Sequence, residues 1–310
     1  MSKLLIVGTV AFDEIETPFG KTDKILGGAA TYIGLSASHF NNVDSAIVSV
    51  IGGDFPQEYL DLLTDRNIDI SGIEKVENGK TFFWSGRYHN DLNSRDTLDT
   101  QLNVLADFNP VVPQHFKNAE VVMLGNLHPN IQISVLDQMT KKPKLVVLDT
   151  MNFWMDCALD ELKEVMKRID VITINDEEAR QLSGEYSLVK SAEIIHKMGP
   201  KYIVIKKGEH GALLFHNNQV FFAPALPLKE VFDPTGAGDT FAGGFAGYMA
   251  QQQTVSFHNM KNAVIYGSNL ASFCVEKFGT QRMEQLSKDE VDTRLQQFKM
   301  LTQFDIELAE

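Results

Sequence analysis

Cysteine is close to absent from this chain. Cys157 and Cys274 stand far apart, and neither has a CxxC or Cys/His spacing around it. That excludes a disulfide framework and a zinc site and suits a reducing cytosol, so a cytoplasmic location is expected. Positive charge is also scarce, with 28 Lys+Arg against 41 Asp+Glu and a net charge of -13. No basic surplus is left to follow a phosphate backbone or an anionic bilayer, and neither nucleic acid nor a membrane is expected as a partner. Long apolar runs are missing too. The opening MSKLLIVGTVAFDE reaches Asp13 and Glu14 too soon for a signal peptide or a membrane span. The 8 histidines include no HExxH and no GxSxG occurs, so hydrolase chemistry has no visible centre.

What is present is a 310-residue chain, 44% hydrophobic, long enough to bury a large core. Short apolar runs at 4–8, 46–52, 121–125, 145–149, 171–175 and 202–206 read as strands covered on both faces. The segments between them, 28–40, 55–66, 130–140, 159–168 and 187–198, are long enough for crossover helices. A doubly wound α/β sheet follows. After a hairpin centred on Asn217-Asn218, residues 236 to about 300 read mostly as helix. Two segments break the alternation, 11–27 and 80–108, and together suggest a small β lid. No repeat or Pro/Ser-rich linker divides the chain, so a single domain over 1–310 is expected.

Ligands of open α/β sheets sit beyond the carboxyl ends of the strands, where this sequence places Gly8, Gly52, Gly53, Asp54, Gly125, Asn126, Asp149, Asn175 and Gly208. One late stretch, DPTGAGDTFAGGF from Asp233 to Phe245, concentrates glycine at a helix start. Free N-H groups and partial positive charge make Gly236, Ala237 and Gly238 a cradle for an anion. Asp239, in the first turn beside them, could take a proton from a hydroxyl attacking a phosphoryl group. Close helix packing, with Asp239 as a cap, explains the same residues. Neither GKT sequence has the earlier glycine of a Walker A loop, since Ile15 and Glu74 occupy that place, and Phe241 spoils a Rossmann fingerprint.

The extended pattern decides between these. Asp233, Pro234, Gly236, Ala237, Gly238, Asp239, Gly243, Gly244, Phe245 and Ala246 resemble the C-terminal signature of the ribokinase-like (PfkB) carbohydrate kinases, spacing included. The resemblance extends over the chain through VGTVAFDEI, LGGAATYIG, IGGDFPQEYL, LDTMNFW, INDEEARQL and IKKGEHGALLF. It implies a three-layer α/β/α sandwich with a mostly parallel doubly wound sheet and a β lid. The implied reaction is ATP- and Mg2+-dependent phosphorylation of an alcohol, such as a hydroxymethyl group, on a sugar-like acceptor. A nucleoside acceptor and a non-catalytic nucleotide or sugar sensor are the alternatives.

By the same resemblance Asp239 is the general base and Gly236, Ala237 and Gly238 the anion hole. Asn175 and Glu178 help organise Mg2+ and phosphates, Glu178 through water, although NDEEA is also an ordinary helix start. Lys206 and Gly208 fall in the nucleotide loop, with Asn269 and Ser272 on the adenine side. Asp233 matches a position that in several relatives helps bind a monovalent cation such as K+, and a turn-forming Asp-Pro explains it equally. On the acceptor side Asp13 would hold two hydroxyls and Gly27-Gly28 would let the acceptor approach. Tyr32 stands where an acceptor-contacting Asn is usual. Asn126 and Asn152 are further acceptor-side candidates. Lid aromatics Phe82, Phe83, Trp84 and Tyr88 either stack on a base or pack the lid. Pairing of lid strands would make a homodimer.

Overall fold

Alternate residues of the first strand point to opposite sides of one sheet, and both sides are apolar. Leu4 and Ile6 join a core with Leu35, Phe245 and Leu270, whereas Leu5 and Val7 join a second core with Leu162, Val165 and Ile195. A strand buried on both faces must be apolar throughout, which is why these runs lack alternation. The computed structural model describes residues 1–303.

In chain order the strands are β1 (Ser2–Val7), β2 (Ala11–Thr17), β3 (Gly20–Lys21), β4 (Ile25–Gly27), β5 (Val43–Gly52), β6 (Ile68–Val76) and β7 (Phe83–Tyr88). They continue with β8 (Arg95–Gln101), β9 (Val121–Leu124), β10 (Leu145–Asp149), β11 (Val171–Asn175), β12 (Tyr202–Lys206), β13 (Ala212–His216) and β14 (Gln219–Ala223). The helices are α1 (Ala29–Ala37), α2 (Gln57–Asp65), α3 (Pro129–Asp137), α4 (Asn152–Cys157), α5 (Leu159–Met166) and α6 (Asp176–Ser183). Then come α7 (Leu188–His196), α8 (Ala237–Gln251), α9 (Phe257–Cys274), α10 (Gln281–Gln285) and α11 (Lys288–Thr302).

Nine strands form the main sheet in the order β14-β13-β12-β11-β10-β9-β1-β5-β6. From β6 to β12 all neighbours are parallel, and β13 and β14 close one edge as an antiparallel hairpin. Asn217, at the centre of that hairpin, has φ 50, a conformation asparagine tolerates. Because β5 lies on one side of β1 and β9 on the other, the order reverses at β1 and opens a crevice beyond its end. Helices α1 and α8 pack together on one face, with α9 against α8.

A second sheet, in the order β3-β2-β7-β8 with β4 also on β2, is built from 11–27 and 83–101. Its strand β2 leaves the main sheet four residues after β1 ends and therefore hangs over the crevice. Among the described residues no helix is long and apolar enough to cross a membrane.

Candidate active site

The chain enters α8 through a tight turn. Ala237 N-H donates to Pro234 O at 3.2 Å and Gly236 has φ 74 and ψ 0, the values a type II turn demands of its third residue and that glycine adopts freely. Of the three amides expected in the cradle, that of Ala237 thus closes the turn. The amides of Gly238 and Asp239 have no partner among the described residues. A Cβ on Gly238 would stand 3.1 Å from Lys206 Nζ, so an ammonium group borders the same opening.

Lys206, at the end of β12, bonds Asp149 at 2.7 Å, and Asp149 also accepts from the Thr173 hydroxyl at 3.0 Å. Asp149, Thr173 and Lys206 come from three adjacent parallel strands, which is how residues remote in sequence converge. Glu178 reaches the group from α6, where it forms a reciprocal cap with Asn175. Asn175 Oδ1 accepts from Glu178 N at 2.7 Å and Glu178 Oε2 from Asn175 N at 2.8 Å. Expected both as an ordinary helix start and as a phosphate-side pair, these residues have the capping geometry.

Three carboxylates, Asp149, Glu178 and Asp239, therefore surround one lysine. Burial lifts the Asp239 carboxyl to about 7; Asp149 adds to the rise, Lys206 and Arg95 oppose it, and Glu178 raises it further. Burial likewise lifts Glu178 to about 7, with Lys206 pulling down and Asp149 pushing up. Burial works to deprotonate Lys206, but Asp149, Glu178 and Asp239 together hold its pKa above the ordinary lysine value. Asp239 itself is only partly enclosed. A general base should titrate near its working pH and be reachable.

Across the crevice Asp13 is 5% exposed. A Cβ on Gly27 would lie 2.0 Å from its Oδ2, and one on Gly28, where φ is 91, would lie 2.5 Å from Thr9 O. Only glycine lets the β4-α1 junction close on this carboxylate. Burial raises Asp13 to about 7, the Gly28 backbone opposes, and the Asp233 and Asp239 charges add to the rise. Tyr32 is fully buried, with its hydroxyl unpartnered. Its ring lies against Gly236, where a Cβ would come within 2.4 Å.

Other expected site residues are engaged elsewhere. Asp233 accepts from Thr235 N at 2.9 Å and Gly279 N at 2.8 Å, bracing the turn. Asn126 accepts from Trp154 Nε1 at 2.7 Å, and Asn152 starts α4. Asn269 and Ser272 are turned inward as props between α9 and α11. Asn269 donates to Val291 O at 3.0 Å, and Ser272 accepts from Arg294 at 3.1 Å. Gly208, at φ +53, faces the β7-β8 loop of the second sheet, a Cβ there standing 3.0 Å from Asn93 Oδ1. Site residues without an assigned role in the sequence reading are Asp149, visible there only as a strand end, and Thr173, Arg95 and Thr235.

Comparison with known proteins identifies the family and the fold. Residues 6–286 match the pfkB family carbohydrate kinase pattern. A cytidine kinase of Thermococcus kodakarensis is 33% identical over 255 residues, 80% of this chain and 89% of that protein. The nucleoside kinase structure of Methanocaldococcus jannaschii, an archaeal member of the ribokinase family, superposes with a TM-score of 0.77 at 22% identity, covering 96% of this chain and 99% of that one. An Escherichia coli protein solved with ATP and Mg2+ gives 0.78 at 19% identity, covering 96% and 100%. The three-layer fold is the ribokinase fold.

Proposed function

We propose, for a chain that belongs to the pfkB family of carbohydrate kinases and so is an ATP-dependent phosphotransferase acting on an alcohol of a sugar or nucleoside, that the acceptor is a nucleoside. The observation that carries the reading is the placement of two carboxylates about one anion cradle. Asp13 and Asp239 are close enough that the charge of one helps raise the pKa of the other. Asp13, backed by Gly27 and Gly28, would accept hydrogen bonds from the vicinal hydroxyls of a ribose. Asp239 would take the proton of the attacking hydroxymethyl group, and Gly238 N-H with Lys206 would hold the negative charge of the phosphoryl group in flight. Similarity to a cytidine kinase favours a nucleoside over a free sugar. So does Phe153, 53% exposed and 4.9 Å from the Trp154 ring that anchors Asn126, a face of the kind on which a base stacks.

A divalent cation fits the carboxylate cluster, where burial holds the Glu178 and Asp239 carboxyls near 7 against the pull of Lys206, and further positive charge would favour their ionised forms. Glu178 and Asp149 would hold Mg2+ through water, with the nucleotide phosphates completing its shell. The ion would neutralise phosphate charge. Both Asp233 oxygens are engaged by amides, which supports bracing over monovalent cation binding. The exposed strand β8 offers an edge on which a second copy would pair.

The test is ADP release with ATP and, in turn, cytidine, inosine, adenosine, ribose and fructose. One nucleoside should exceed the sugars by about a hundredfold or more in kcat/KM, because buried partners penalise an ill-fitting acceptor. Equal or better use of ribose would remove the nucleoside assignment. Asp239→Asn should lower kcat by about 10² to 10⁴ with ATP affinity little changed. Retention of most turnover would remove Asp239 as the base.

A further inference from the structure

The second sheet and its β7-β8 loop touch the main body at two points, one beside the turn into α8 and one at Gly208 after β12. The Thr235 hydroxyl, one residue before Gly236, donates to Tyr88 Oη at 3.2 Å. On the nucleotide side Asn93 abuts Gly208. Arg95 lies between these contacts, two residues beyond Asn93 and opposite Tyr88 in the β7-β8 ladder. Its guanidinium is exposed and sits 5.8 Å from the Trp84 ring. Among the described residues it forms neither an ion pair nor a side-chain hydrogen bond, so its five donors are uncommitted. Residues directly opposite in an antiparallel ladder project from the same face, so Arg95 stands on the face from which Tyr88 reaches Thr235 at the turn into α8.

Charge counting says what such a group can do there. Asp149, Glu178 and Asp239 face one ammonium, and that of Lys206 is already bonded to Asp149. A nucleotide triphosphate adds further negative charge. Arg95 is an uncommitted cation that the second sheet brings to the side of the turn where Tyr88 meets Thr235.

We propose that Arg95 is a further catalytic residue, donating from the second sheet to the non-bridging oxygens of the phosphoryl group as it passes from ATP to the acceptor. The acceptor oxygen bonds to the γ-phosphorus, and the bond from that phosphorus to the β-γ bridging oxygen breaks, its electron pair leaving with ADP. The acceptor proton goes to Asp239. Arg95 exchanges no proton and offsets charge spread over three oxygens, as arginine does in other phosphoryl transfers. The assignment rests on the reading of Asp239 and the cradle given above. It also couples cation to acceptor. Asp13 pairs with Trp84 across β2-β7, and Arg95 lies over Trp84, so the acceptor carboxylate and the arginine ride on one sheet.

Arg95→Gln, Arg95→Lys and Arg95→Ala are compared with the unchanged protein, using ATP and the best acceptor among cytidine, inosine, adenosine and ribose. Arg95→Gln should lower kcat by about 10² to 10³, the loss typical of one preorganised donor. ATP affinity, read by direct nucleotide titration, should change less than about threefold, and the thermal midpoint should hold because the side chain is exposed. Lysine should restore part of the rate, and added guanidinium should partly and saturably rescue Arg95→Ala. A kcat within about threefold of the unchanged protein would overturn the proposal, as would a loss of rate matched by an equal loss of ATP affinity. Asp239→Asn assayed alongside separates the two readings: inactivity there with full activity in Arg95→Gln leaves the base in place and removes the arginine.

Discussion

Replacing Asp13 by Asn should make the protein more stable at neutral pH while disabling it. Burial lifts the Asp13 carboxyl from 3.8 to about 7, against the Gly28 backbone and with help from Asp233 and Asp239. In the unfolded chain the same group titrates at its ordinary value. Between about pH 4 and pH 7 the folded protein therefore holds a proton that the unfolded chain has released. Because the folded value is the higher one, stability is greatest below pH 4, falls as pH rises through that window, and is level above 7. Three powers of ten correspond to about 4 kcal/mol, of which local relaxation would leave on the order of 2–4 kcal/mol. Asparagine has the same shape and does not titrate. Urea unfolding of both proteins from pH 4 to pH 8 should show their stability difference moving in favour of the variant by that amount. Glu178 and Asp239 titrate in both proteins and largely cancel. An amide facing the Gly28 backbone adds a pH-independent penalty, so the change with pH carries the test. A difference that stays flat from pH 4 to pH 8 would refute the desolvation argument. In the same variant the acceptor KM should rise far more than the ATP KM.

Gly238→Ala places a methyl 3.1 Å from Lys206 Nζ at a site with an ordinary helical φ. Its thermal midpoint should hold or rise, alanine being favoured in helices by about 1 kcal/mol, while kcat falls by about tenfold or more; unchanged kcat would clear the cradle of any role. Lys206→Met leaves Asp149, 6% exposed, without its cationic partner and should cost about 3–5 kcal/mol in urea unfolding. Adding Asp149→Asn should recover part of that loss, and simple additivity of the two changes would show that the pair does not interact.

The strands of the main sheet were legible because burial on both faces demands unbroken apolar runs, as in LVVLD and YIVIK. Strand β6 was not, since it is an edge strand interrupted by Asp69, Ser71, Glu74 and Lys75, with a register shift in β5 opposite. The turn into α8 was legible because its requirements are local: a glycine at φ 74 and small residues beside it. The Asp149-Lys206 pair depends on strands β10, β11 and β12 lying side by side. Arg95 depends on a second sheet folding back over the first. Neither adjacency leaves a mark in sequence spacing. Asn269 looks like a displayed polar residue on a helix until α11 supplies the Val291 carbonyl that takes its amide.

Tyr32 belongs to α1, the helix whose Gly28 start lies beside Asp13, yet its ring is the floor beneath Gly236 of the turn into α8. Under the proposed roles, one buried side chain lies between the Asp13 side of the crevice and the turn that carries Gly238 and Asp239. Redesigning acceptor preference by shrinking residue 32 would open space on one side and remove a buttress on the other, so selectivity and turnover would drift together. A successful redesign would need a second substitution to refill the volume under Gly236.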